Sequence, residues 1–202
     1  MEPLRILGID PGTNIMGFGI IEVQLQQIKY VDHGIRKFSA KEDAVVRLGE
    51  ILNATYSLIA TYTPSVISIE SPFFGKNVQS MLKLGRAQGV VMAASLSKGL
   101  DVFEYAPRKI KQSITGRGQA SKEQVAEMLF RLLQIDGEKQ LALDATDALA
   151  AAFCHFLQLG PIADARQQAA LNMNKTKMIQ TSSRGKKGDW RSFLDQNPDR
   201  KA

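Results

Sequence analysis

The opening part of the chain is a series of short apolar runs broken by glycine. Leu4 to Asp10 is an apolar run that closes on an acid, Met16 to Val23 is a second run, and a third lies near Ile28 to Phe38. Runs of this length with turn-forming residues between them predict strands joined by hairpins, with Gly12, Gly17 and Gly34 at or near the turns. The period then changes. From Ala44 to Tyr62 the apolar residues Val45, Leu48, Ile51, Leu52, Tyr56, Leu58 and Ile59 fall at helical spacing, and Pro64 stops the helix. Val66 to Glu70 is a short β-branched strand, again ending in an acid. Asn77 caps a predicted helix reaching about Lys98, whose second half carries Ala87, Gly89, Ala93 and Ala94. Such small residues suit packing on a sheet, or on a second copy of the chain. Val102 to Tyr105 is a last strand. Pro107 opens a short helix through Ile114, Ser121 caps another through Leu133, Asp136-Gly137 turns, and Asp144 to Leu159 is the final helix before Gly160-Pro161. Three opening strands followed by alternating helices and strands predict an α/β domain, a mixed sheet flanked by helices.

Length and charge refine this picture. A chain of 202 residues with 44% hydrophobic content supports one substantial core, and no apolar stretch is long enough to span a bilayer. The N-terminus lacks the features of a secretory signal. The single cysteine, Cys154, rules out an internal disulfide and a cysteine zinc site, so the expected compartment is the reducing cytoplasm. Set among Ala, Phe and His, Cys154 reads as core filler, and His155, between Phe153 and Phe156, as a packed core histidine. His33 belongs to no constellation.

The net charge of +6 arises entirely from Ala165 onward, where nine Lys/Arg face three Asp/Glu. The expectation is a folded domain over 1–164 and a basic, largely disordered tail over 165–202. Within the balanced body, the stretch from Lys76 to Lys122 holds nine basic residues against Asp101 and Glu104. A basic middle and a basic tail suit a polyanion, although charged tails also serve solubility alone.

Four carboxylates stand out against this background. Asp10 and Glu70 each end an apolar strand, and if those strands are parallel neighbours both acids emerge at the carboxyl edge of the sheet, where open α/β folds bind ligands. Asp144 and Asp147, in D-A-T-D, are three apart and share a helix face. Three of the four have a plainer alternative: Asp10 as a turn residue, Asp144 as a helix cap and Asp147 as a first-turn charge. Four converging acids need counter-charge, which hard divalent cations such as Mg²⁺ supply through oxygen ligands. Two such ions roughly 3.5–4 Å apart activate water and stabilise a leaving oxygen, which implies phosphodiester hydrolysis.

Five segments in order, I-L-G-I-D-P-G-T, I-E-S-P-F-F-G-K-N, K-L-G-R-A-Q-G-V, E-Y-A-P-R-K-I-K-Q-S-I-T-G-R-G-Q-A-S-K and D-A-T-D-A-L-A-A-A, together resemble the bacterial RuvC Holliday junction resolvases. The resemblance implies an RNase H-like fold, a homodimer, and Mg²⁺-dependent paired symmetric nicking of four-way DNA junctions, with two Mg²⁺ per active site (Mn²⁺ able to substitute). It places the catalytic, metal-holding carboxylates at Asp10, Glu70, Asp144 and Asp147, with one or both aspartates completing the set. It places the basic residues beside the scissile phosphate at Lys111 and Lys122, which could otherwise be a solvated helix lysine and a first-turn lysine. The base-stacking aromatic falls on Phe73, with Phe74 able to exchange roles with it. Lys76, Arg108, Lys109 and Arg117 join Lys111 and Lys122 as DNA-binding candidates. The implied partners are a junction-binding tetramer and a branch-migration helicase, and no membrane. Three rivals remain: a phosphate-binding ATPase of the actin and sugar-kinase superfamily, for which a second acid-x-Gly turn is lacking; an RNase H-like nuclease acting on structured RNA; and a binding-only junction protein.

Overall fold

The computed structural model describes residues 3–25, 27–72, 77–135 and 142–159. Five strands, β1 (Leu4–Asp10), β2 (Ile15–Gln24), β3 (Gln27–Lys37), β4 (Val66–Glu70) and β5 (Asp101–Tyr105), form one sheet in the order β3-β2-β1-β4-β5. β1, β2 and β3 are antiparallel neighbours, whereas β4 runs parallel to both β1 and β5. The condition set by the sequence is therefore met: β1 and β4 are parallel neighbours. Their last paired residues are Ile9 and Ile69, so Asp10 and Glu70 leave the sheet side by side.

The helices divide between the two faces. α1 (Ala44–Tyr62) and α2 (Val78–Ser97) pack on one face, over Leu7 and Ile9 of β1, Met16, Phe18 and Ile20 of β2, and Ile67 and Ile69 of β4, all buried. α3 (Pro107–Thr115), α4 (Lys122–Leu133) and α5 (Leu143–Leu159) cover the other, whose core includes Ile6, Ile21, Val66, Ile110, Leu129 and Leu149. Strand alternation assigns Gly8 and Asp10 to this second face along with Ile6, and Ser68 and Glu70 along with Val66. Both acids therefore point toward α5.

The mixed α/β architecture is as expected, and α1 and β4 begin and end where the periodicity put them. Two glycines require correction. Gly17 and Gly34 are not turn residues but lie inside β2 and β3. A Cβ on Gly34 would fall 2.8 Å from the Phe18 ring, and one on Gly17 would fall 1.9 Å from the carbonyl oxygen of Asp144. Close packing, not turning, explains both. On α2, Ala87 and Val91 are buried against the sheet and Ala94 is buried too, while Gly89 and Ala93 are exposed. Cys154 is buried. His155 is buried too, 3% exposed, with Nδ1 2.7 Å from the Tyr105 hydroxyl. Burial pushes its imidazole down to about 4, so it stays neutral. The predicted turn at Asp136-Gly137, the Gly160-Pro161 stop and the tail lie outside the described residues, as do Phe73, Phe74 and Lys76. Among the described residues no helix is long and apolar enough to cross a membrane.

Candidate active site

The site is assembled by letting one helix lie directly on the sheet. Beneath α5 the strands present residues with little or no side chain. An added Cβ at Gly8 would meet the Ala148 carbonyl oxygen at 1.9 Å, and one at Gly19 would meet the Leu149 Cα at 2.5 Å. Gly8 and Gly19 are direct partners in the β1–β2 ladder, as are Asp10 and Gly17. Ser68 on β4 donates its hydroxyl to the Ala151 carbonyl at 2.7 Å, tying the helix to the parallel strand. α5 responds with small residues of its own, Ala145, Ala148, Ala151 and Ala152, all buried. Its first turn therefore sits on Gly17, next to Asp10, and Asp147 is carried to the sheet edge.

The outcome is a group of three carboxylates, Asp10, Glu70 and Asp147, each offering an oxygen within 4.8 Å of the others. Asp144, one turn earlier on α5, stands outside this group yet close enough for its charge to act on Asp10. Burial first, then the charges of Asp147 and Asp144, push the Asp10 carboxyl from an ordinary 3.8 up to about 7. Burial, Asp10 and Asp147 likewise raise Glu70 from 4.5 to about 8. Burial and neighbouring charge thus favour the protonated forms of Asp10 and Glu70 when no cation is bound. Oxygen donors clustered in this way, with charge to be neutralised, fit a hard divalent cation.

Two lysines partly fill that need. Ser121 and Gln124 form a reciprocal capping box that fixes the start of α4. Lys122 is thereby the first residue of the helix, and its ammonium forms an ion pair with Asp147. Burial works against the Lys122 charge, but the bond to Asp147 and the fields of Asp10 and Glu70 outweigh it and raise its pKa. Lys111, half-buried on α3, lowers Glu70 through its charge. Arg108, Lys109 and Arg117 are exposed on α3 and the turn that follows, and none is among the charges acting on Asp10 or Glu70. The stem of Arg108 lies over Gly118, whose added Cβ would sit 2.7 Å from the Arg108 Cγ. The basic stretch read as one block in the sequence is therefore divided by the fold. Lys83 and Arg86 are on α2, against one face of the sheet, and the residues from Arg108 to Lys122 are on the other.

Comparison with known proteins bears directly on this arrangement. The family model for the crossover junction endodeoxyribonuclease RuvC matches residues 6–155, which include Asp10, Glu70, Lys111, Lys122, Asp144 and Asp147. The chain belongs to the RuvC family. It is 50% identical over 193 residues to the crossover junction endodeoxyribonuclease RuvC of Christiangramia forsetii, covering 96% of this chain and 90% of the relative. With the RuvC of Bacteroides fragilis it shares 47% identity over 205 residues, covering 99% and 98%. Among solved structures it is similar to Thermus thermophilus RuvC in complex with a Holliday junction substrate, with 27% identity, a TM-score of 0.68, and coverage of 78% of this chain and 96% of that one. Family membership settles the reaction class as endonucleolytic cleavage of DNA and the fold as RNase H-like. Against it, the ATPase rival loses its basis.

Sequence reasoning missed the residues that bring the site together. Gly8, Gly17, Gly19 and Ser68 carry no chemistry that would mark them. Their signal is a spacing of two along β2 and the same period on β1 and β4 ahead of each acid, which marks one face of a strand.

Proposed function

We propose that this chain resolves four-way DNA junctions by paired symmetric nicks, acting as a homodimer with one carboxylate site per protomer and two Mg²⁺ ions in each. The supporting observation is the convergence of Asp10, Glu70 and Asp147 at the parallel ends of β1 and β4, in a chain of the crossover junction endodeoxyribonuclease family. Asp10, Glu70 and Asp147 would hold the cations, with Asp144 completing the set from the preceding turn. When bound, the cations neutralise the carboxylates and phosphate, activate the attacking water and stabilise the leaving oxygen.

The protein's own residues do the rest. With the cations held by the carboxylates, Asp10 and Glu70 would stay ionised, and the Lys122 ammonium would no longer be needed as the partner of Asp147. Lys122 and Lys111 then face the scissile phosphate, neutralising charge that grows during attack and fixing the strand in line. The rigidity of β1, β4 and α5 keeps the oxygens in register, so little reorganisation accompanies the reaction. The strand is cut to leave 5′ phosphate and 3′ hydroxyl ends. Phe73, outside the described residues but three positions past Glu70, would stack on a base near the crossover. A basic, DNA-facing protein whose described residues include no helix long and apolar enough to cross a membrane suits the cytoplasm, and a junction-binding tetramer and a branch-migration helicase are the partners expected.

The test is cleavage of an end-labelled synthetic four-way junction with Mg²⁺, beside a linear duplex and an RNA hairpin. Paired nicks confined to the junction, sealable by ligase, are the expected result. Cutting of the RNA would favour the structured-RNA reading, and tight junction binding with no cutting would favour a binding-only protein.

A further inference from the structure

The DNA-binding candidates described so far lie on the α3–α5 side of the sheet or outside the described residues. The opposite side also carries unassigned positive charge. The turn that follows Asp10 runs through Thr13 and Asn14. The Asn14 side-chain carbonyl accepts a 2.9 Å hydrogen bond from Arg47 Nη1 on α1, and its main-chain carbonyl accepts from the Phe38 amide at 2.8 Å. Beside this anchored turn is a hollow with Leu48 and Ile51 among its lining residues, together with Thr13, Arg47, Lys83 and Arg86. No acidic residue lines it among the described residues.

Arg47 is only partly used in this arrangement. Its Nε is buried with no hydrogen-bond partner, and Glu50, one turn further along α1, keeps a buried oxygen unpaired too, so the two do not satisfy one another. That nitrogen is closed to any ligand, so what Arg47 offers an incoming anion is the charge of its outer guanidinium end, held beside the turn by Asn14. Arg47 is fixed at one end by Asn14, whereas Lys83 and Arg86 are exposed on successive turns of α2. Three cations around one small hollow, with no carboxylate among its lining residues, match the phosphate oxygens of a DNA backbone segment.

We propose that Arg47, Lys83 and Arg86 form a second phosphate-binding flank, which holds a backbone segment of a junction arm on the α1–α2 side of the carboxylates. This rests on the junction-cleaving reading. Together with the α3–α4 lysines it would place cations on both sides of the scissile phosphate, so a strand is gripped before and after the cut. Because Asn14 links Arg47 to the turn that carries Asp10, backbone held here is registered against the catalytic acid.

The experiment measures binding of the full-length protein to a fluorescent four-way junction and to a linear duplex, without divalent cation, across a series of KCl concentrations. The variants are Lys83→Ala/Arg86→Ala and, separately, Arg47→Gln, with circular dichroism to confirm folding. Two lost phosphate contacts should lower the slope of log affinity against log salt by about two for the double variant, with junction affinity down roughly tenfold at 0.1 M salt. Arg47→Gln should remove about one unit of slope. Unchanged slope and affinity in the folded double variant would overturn the proposal. If the parent protein binds junction no better than duplex, the resolvase reading fails instead, and the slope difference on duplex still decides the flank.

Discussion

The two faces of the central sheet are built from the same strands on opposite principles. The α1–α2 face is filled with large side chains, Leu7, Ile9, Met16, Phe18, Ile20, Ile67 and Ile69, all of them buried. Its helices are held off by bulk, and its contribution is stability through apolar area removed from water. Beneath α5, alternate residues of the same strands are Gly8, Gly17, Gly19 and Ser68, and helix backbone almost touches strand backbone. At these four positions the strands contribute almost no side-chain volume, and the apolar core of this face is built from their neighbours Ile6, Ile21 and Val66 with α3, α4 and α5. What is gained is position: the first turns of α5 are lowered onto the sheet until Asp147 comes within 4.8 Å of Asp10 and Glu70. Both faces stabilise the domain, since the α3–α5 side buries Ile6, Ile21, Val66, Ile110, Leu129 and Leu149, but only that side also focuses charge, at the strip of small residues under the start of α5.

The comparison can be broken hardest at the charge itself. Asp10→Asn should lower the junction cleavage rate by about a thousandfold or more, the scale of several kcal/mol of lost charge stabilisation. Junction binding should survive, and simultaneous loss of both in a gel-shift and cleavage assay would make Asp10 a structural residue. Next is the close approach. Gly17→Ala adds a methyl where only 1.9 Å separates it from a helix carbonyl. It should destabilise the fold by about 3 kcal/mol and suppress cleavage further than the stability loss explains. Ile9→Val on the other face should cost about 1 kcal/mol in urea unfolding and leave the cleavage rate alone.

A smaller effect tests the electrostatics. Asp10 and Glu70 have folded-state values of about 7 and about 8, above their ordinary 3.8 and 4.5. Their protonated forms therefore favour the fold. That stability is fully present below the ordinary values and is lost as pH rises through the folded ones. Without divalent cation, Asp10→Asn should thus melt higher than the parent at pH 8.5, by on the order of 5 °C, with the gap narrowing toward pH 4. Added Mg²⁺ should shrink the gap at high pH by stabilising the parent. A gap independent of both pH and Mg²⁺ would contradict the charge-focusing account. Smallest of all, Ser68→Ala removes one tie between β4 and α5 and should cost about 1 kcal/mol by urea unfolding, with a modest loss of rate.

Much of this was legible in the sequence because it is local. β4 and α1 follow from composition and period, and the acids at the ends of β1 and β4 and the three-residue spacing of Asp144 and Asp147 are written out in order. That β1 and β4 are neighbours is a long-range pairing that no local pattern specifies. Gly17 and Gly34 suggest turns nearby because glycine is the default where a chain reverses; only the helix above Gly17 and the Phe18 ring beside Gly34 reveal that they serve proximity. Lys122 looked like any first-turn lysine until the capping box and the ion pair to Asp147 fixed its direction. Arg47 gave no signal at all, since its interest lies in the fold bringing its guanidinium to Asn14 and beside Lys83 and Arg86.

The pairing of Ile9 with Ile69 immediately before the two acids has a consequence for how such a chain can vary over time. A one-residue insertion or deletion within β1 or β4 would turn Asp10 or Glu70 to the aliphatic side of the sheet and erase the site in a single step, with the apolar content of the chain almost unchanged. The connections between elements face no such arithmetic. Descendants of this chain are therefore free to gain or lose residues between strands and helices, while the count from Leu4 to Asp10 and from Val66 to Glu70 stays frozen.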